Sequence, residues 1–116
     1  MERHEAWQIF IATRDTVEAR CRQIVAPDTR YQTVVIALDQ ALDALHDATS
    51  QISMANAADD FEDIETSLFD ACGWVAKARS LCRGNGVRVH TLAKIRELVE
   101  HARESLFEAI TAEIPY

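Results

Sequence analysis

Six carboxylates lie within twelve residues of this chain, from Asp59 to Asp70, in the stretch ADDFEDIETSLFDAC. Clustered carboxylates can bind a divalent metal, share a proton or attract a basic partner. Asp59 followed three residues later by Glu62 is typical of a helix N-cap with its capping-box acid, and the next acids fall where the helix dipole favours negative charge. We therefore interpret the cluster first as the solvated face of a helix, second as a docking surface for a basic partner, and third as a site of chemistry.

The spacing of acids and histidines does not match a helical metal site. Di-metal bundles use Glu-x-x-His, which does not occur in this chain, and the nearest pattern runs from Asp43 to His46. An all-helical nucleotide pyrophosphohydrolase would need a second acid cluster on a neighbouring helix to hold magnesium. The sequence GNG lacks the lysine and hydroxyl residue of a phosphate-binding loop. We expect no metal and no cofactor.

Arg96 and His101 are the second candidate for chemistry, because four residues separate them in RELVEH. This spacing resembles the motif of the HEPN RNases, which are small, all-helical and usually dimeric. The resemblance covers this motif alone and implies acid–base and phosphate-stabilising roles for the two side chains at a dimer interface. Glu97 follows the arginine, and its carboxylate would repel a phosphate backbone. The competing interpretation places both residues in solvent, with Arg96 near Glu100 and His101 beside Glu104.

Four helices are predicted to position these residues. Breaks at Pro27 and in the CRGNG segment, together with the N-cap at Asp59, leave four helical stretches over about 3–25, 28–55, 59–83 and 91 onward, with Asp28 as the N-cap of the second. Apolar residues recur at three- and four-residue steps in each stretch, so each has one buried face. We predict an all-α fold: a small bundle of about four mostly antiparallel helices in a single domain over residues 1–116.

The second stretch carries a heptad pattern over three repeats. Its seam consists of Tyr31, Val35, Leu38, Leu42, Leu45, Thr49 and Ile52, with alanines beside it at intervals of seven. At 1.5 Å per residue this helix would be about 40 Å long. A helix of that length needs partners along all of it.

Composition restricts the classes of function. The net charge is −7 and no segment forms a basic patch, so we expect no nucleic-acid partner. The longest apolar run, VVIAL, is far too short to span a membrane, and the charged N-terminus does not fit a signal peptide. Three cysteines without C-x-x-C spacing are typical of reduced, mostly buried thiols. We therefore expect a cytoplasmic protein.

Apolar residues outside the predicted core are the remaining signal. Trp74 and Leu81 lie seven residues apart on the third helix, and Phe107 and Ile114 do so on the fourth. Such stripes belong either to a wide core or to an interface, where aromatic residues are favoured. The predicted partner-binding residues are Trp74, Leu81, Phe107, Ile114, Asp63 and Asp70.

These observations favour a small acidic protein that is not an enzyme and that binds and regulates another protein. The concrete hypothesis is a homodimeric inhibitor, anti-activator or adaptor, for example one that sequesters a bacterial transcriptional regulator by covering its interface. One alternative is an RNase or toxin-type enzyme that uses Arg96 and His101. The other alternative is a structural subunit of a larger assembly.

Overall fold

The computed structural model describes residues 3–54, 62–82 and 89–112, which form four helices and contain no strand. The helices are α1 (Arg3–Val25), α2 (Tyr31–Met54), α3 (Glu62–Ser80) and α4 (Val89–Ala112). The predicted all-α fold is confirmed. The four predicted stretches correspond to these helices, and the bounds of α1 match the prediction.

The helices form a bundle in which each packs against its neighbour in the chain, and α1 packs against α4 to close it. The guanidinium of Arg14, in the first half of α1, lies 5.3 Å from the ring centre of Phe107, near the end of α4. Glu18, one turn further along α1, pairs with Arg103, one turn earlier on α4. The two helices therefore run antiparallel, as predicted.

The buried residues of α2 and α3 occupy equivalent positions. On α2 they are Val34, Ala37, Leu38, Ala41, Leu45, Ala48 and Ile52, and on α3 they are Ile64, Ser67, Leu68, Ala71, Val75, Ala78 and Cys82. Adding 30 to each α2 position gives its α3 counterpart. Both helices have a neighbour on each side, so each buries an arc of similar width.

The heptad seam predicted for α2 lies off the centre of its buried arc. Tyr31, Val35, Leu42 and Thr49 are only half-buried, whereas Val34 and the alanines at positions 41 and 48 are buried. Small side chains allow a neighbouring helix to approach closely, so the core is centred on the alanine line. The other three seam residues are buried as predicted.

The N-cap predicted at Asp28 was wrong. The N–H of Val34 donates to the carbonyl of Arg30 at 3.1 Å, so Arg30 occupies the capping position and α2 begins one residue after it. The N–H of Thr29 donates to the carbonyl of Ala26 at 3.2 Å. This turn extends beyond the end of α1 and includes Asp28, which delays the start of α2.

A charged network joins α1 to α4, the adjacent pair with the sparsest packing. Arg103 donates from Nη2 and Nε to the two carboxylate oxygens of Glu18 at 2.6 and 2.7 Å, and from Nη1 to Glu100 at 2.8 Å. The hydrogen bonds that Arg103 donates to Glu18 lower the pKa of the Glu18 carboxyl and raise the pKa of the Arg103 guanidinium. Both groups therefore stay charged at neutral pH, in the geometry that gives a strong pair.

Candidate protein-binding surface

The most exposed large apolar side chain among the described residues is Phe69 on α3, which keeps 72% of its surface accessible. It lines an open depression of about 360 Å³ together with Asp70, Gly73, Trp74 and Lys77. All five residues belong to α3, within three turns of the helix. We call these five residues the α3 surface.

Gly73 lies at the middle of the α3 surface and within the helix interior. A Cβ atom built at this position would have nothing within 4 Å, so the core does not require a glycine there. An exposed glycine in a helix interior costs about 1 kcal/mol relative to alanine. What the missing side chain provides is a notch into which another chain could bring its own side chain or backbone.

Trp74 is held in place at the edge of this notch. Its ring stacks on the imidazole of His101 from α4, with centroids 4.7 Å apart and planes 26° from parallel. The ammonium of Lys77 lies 4.8 Å from the centre of the same indole. A ring fixed between two neighbours loses little conformational entropy on binding, which favours it as an anchor.

The charges of the α3 surface are placed symmetrically. Asp70 and Lys77 are seven residues apart, so they lie about 20° apart around the helix and about 10 Å apart along it. Gly73 and Trp74 occupy the midpoint between them. The surface therefore has an apolar, notched centre with an acid towards one end and a base towards the other.

Of the predicted binding residues, Trp74 and Asp70 belong to the α3 surface. Leu81 lies just beyond the end of α3 and is exposed. Asp63 is also exposed, and its carboxylate accepts hydrogen bonds of 3.3 and 2.6 Å from Arg3. It therefore ties α3 to α1 at one end of the bundle.

Of the two residues predicted on the fourth helix, Phe107 does not join this surface. Phe107 is 42% exposed and faces α1, where the guanidinium of Arg14 packs against its ring. Ile114 falls outside the described residues. Trp74 and Phe107, both predicted to bind a partner, therefore lie at separate places on the bundle.

Phe69 was missed as a binding residue. The signal available in the sequence is an aromatic residue on the polar side of a helix, four residues before a mid-helix glycine. Its exposure depends on where α2 and α4 lie beside α3, which sequence periodicity does not specify.

Arg96 and His101 turn towards different helices. Arg96 donates to the carbonyls of Ile24 and Ala26 at 3.3 and 3.0 Å, where it caps the end of α1. The predicted pairing of Arg96 with Glu100 was wrong. His101 lies 3.7 Å from Glu104, as predicted, but its ring stacks on Trp74. Within one chain the two side chains do not converge.

Three of the four described acids of the Asp59 to Asp70 cluster fit the solvated-face interpretation, whereas Glu65 is half-buried and its Oε1 atom is buried without a hydrogen-bond partner. Glu62, Asp63 and Asp70 are exposed, and α3 carries acids in its first turn and Lys77 and Arg79 in its last, as the helix dipole favours. Asp59 lies outside the described residues. Within the described ranges, no group of three or more histidine, cysteine or acidic side chains is placed to hold a metal ion.

The three cysteines are free thiols, with Cys21 and Cys82 buried and Cys72 half-buried. Burial raises the pKa of all three and brings that of Cys21 to about 12. Buried thiols with raised pKa values are poor nucleophiles.

Over the part of the chain that is described, no helix has both the length and the apolarity to cross a bilayer.

Comparison with protein-family models, with curated proteins and with solved structures finds no match to this chain. Evidence on its function therefore comes from its own residues.

Proposed function

We propose that this protein is not an enzyme and acts by binding another polypeptide through the α3 surface. The observation that carries the proposal is Phe69, which is largely exposed beside an open glycine notch and a positioned tryptophan. Monomeric proteins rarely expose such a patch without a use, and aromatic anchors near the centre of a patch dominate interface energies. Burying a phenylalanine side chain contributes about 1.5–3 kcal/mol.

The mechanism is steric occupation. The ring of Phe69 enters a pocket of the partner, and the flanking charges of Asp70 and Lys77 set the orientation of the two chains. An inhibitor or adaptor of this kind works by covering a surface that its partner needs for another contact. The free, buried thiols are consistent with a reducing compartment such as the cytoplasm.

The test compares Phe69→Asp with Ile36→Asp. Ile36 is a matched control, since it is 57% exposed on α2 and lies outside the α3 surface. The tagged full chain is used to capture proteins from its own host's lysate, and the eluate is identified by mass spectrometry and by absorbance of nucleic acid. We expect the wild type and Ile36→Asp to capture the same partner, and untagged copies of this chain count as a partner here. Phe69→Asp should capture at least about tenfold less of that partner.

Equal capture by Phe69→Asp and the wild type would overturn the proposal. So would RNA in the eluate with no protein partner, and that result would favour the RNase hypothesis. His101→Ala then separates the two roles. A catalytic histidine predicts complete loss of RNA cleavage in a folded protein, whereas a histidine that only supports Trp74 predicts a partial loss of protein binding.

A further inference from the structure

Resting on the proposed function, we propose that the polypeptide that covers the α3 surface is a second copy of this chain, paired antiparallel about a two-fold axis between Gly73 and Trp74. The charge pattern supplies the argument. An isologous interface must be complementary to itself, so each charged group needs its opposite at the mirrored position along the same face. Asp70 and Lys77 meet that condition, since their midpoint lies between Gly73 and Trp74.

The geometry of an antiparallel helix pair brings these groups together. Rotation about the two-fold axis reverses position along the helix and keeps the lateral position on the face. Asp70 and Lys77 differ by about 20° around the helix, so Asp70 of one protomer faces Lys77 of its partner, and the reverse contact forms as well. Two reciprocal ion pairs therefore flank the centre.

The apolar centre is self-complementary in shape. Gly73 and Trp74 lie on opposite sides of the midline between Asp70 and Lys77, about 50° from it, so in the same pairing each faces its own copy. The two Gly73 notches meet, and the two indoles lie beside each other at the other edge of the interface. Phe69, on the other side of the notch, packs along the partner helix towards Lys77. Close approach of two helices is what an exposed mid-helix glycine permits.

Lys77, and not the net charge of the chain, argues against a basic partner at this site. Lys77 sits within the surface, beside Trp74, and would oppose a basic ligand there. Two copies of net charge −7 repel each other at long range, which salt screens, while the two local pairs favour this single register.

The test is a charge exchange measured by sedimentation equilibrium of the purified full chain. Asp70→Lys and Lys77→Asp each replace two attractive contacts with two repulsive ones, so each variant alone should raise the dimer Kd by about tenfold or more. An equimolar mixture restores both attractive contacts, because lysine at 70 then faces aspartate at 77 and lysine at 77 faces aspartate at 70. The mixture should therefore form heterodimers with a Kd close to that of the wild type.

Asp43→Lys is the matched control, because it makes the same charge change at an exposed position on α2 and should leave the Kd unchanged. Circular dichroism checks that each variant keeps its helices. A wild type that stays monomeric at every concentration overturns the inference, and so does a mixture that fails to recover. If such a monomer still captures a different protein and Phe69→Asp abolishes that capture, the proposed function stands without the dimer. If Phe69→Asp captures as much of that protein as the wild type does, both the proposed function and the proposed dimer are refuted.

Discussion

Replacing Gly73 by alanine should have opposite effects on folding and on association. The added methyl group meets no atom within 4 Å, so it introduces no clash in the folded chain. It removes the extra conformational freedom that glycine has in the unfolded state. The same methyl group fills the notch at the centre of the α3 surface, where we propose that the partner helix approaches.

The expected magnitudes follow from these two effects, one on folding and one on association. The free energy of unfolding of the monomer should rise by about 0.5–1 kcal/mol, which for a chain of 116 residues corresponds to about 2–4 °C in Tm. Association should weaken by about tenfold, since close approach of the two helices at Gly73 is lost. A gain in stability together with a loss of binding is the signature of a residue retained for an interface.

Urea unfolding monitored by circular dichroism, at a protein concentration below the dimer Kd, measures the first effect, and sedimentation equilibrium measures the second. Ala19→Gly is the matched control, because Ala19 is an exposed position within α1, away from the α3 surface. It should lower the free energy of unfolding by a similar amount and leave association unchanged. A less stable Gly73→Ala, or one that associates as strongly as the wild type, would refute the reasoning.

The remaining predictions concern the bundle itself. Arg103→Met should cost about 2–3 kcal/mol of unfolding free energy, because it leaves the mostly buried carboxylate of Glu18 without its main partner, and a double-mutant cycle with Glu18→Gln should recover a large coupling energy. The folded chain keeps Glu18 ionised to a lower pH than the unfolded chain does. The contribution of Glu18 to the free energy of unfolding is therefore complete above the ordinary pKa of 4.5 and is lost as the pH falls through the lower pKa of the folded state. Acid unfolding curves of the wild type and Glu18→Gln measure this difference. Arg96→Ala should lower the free energy of unfolding in urea by about 1–2 kcal/mol, because it removes the two hydrogen bonds to carbonyls at the end of α1, and an equal stability would contradict the capping role. Iodoacetamide at mildly alkaline pH should modify half-buried Cys72 before Cys21, as peptide mass mapping would show, and the reverse order would contradict the burial described.

Periodicity was enough to predict the helices and most of the core. The apolar line of α3 from Ile64 to Cys82 is buried as predicted, and so is most of that of α1. The break at Pro27 lies between α1 and α2 as predicted, because proline acts on the local backbone. Dipole-matched charges on α3 were also predictable, because they depend on one helix alone.

Other features depend on which helices become neighbours. Val34, Ala41 and Ala48 are buried, whereas four residues of the predicted seam are only half-buried, because α1 and α3 approach on the side of the alanines. Arg96 caps α1 from 70 residues away in the chain, a contact that its heptad position does not indicate. Glu18 and Arg103 are likewise 85 residues apart and meet only because α1 and α4 run antiparallel.

The sequence by itself determined the four helices, the single apolar face of each and the candidacy of Trp74 and Asp70 as binding residues, because local propensity and periodicity act within one helix. Only the tertiary structure decided that Phe69 lies in solvent beside an open Gly73, that His101 supports Trp74, and that Phe107 faces away towards α1. The physical reason is that the buried arc of a helix is set by the number and placement of its neighbours. A binding surface is the part of each helix that those neighbours leave uncovered.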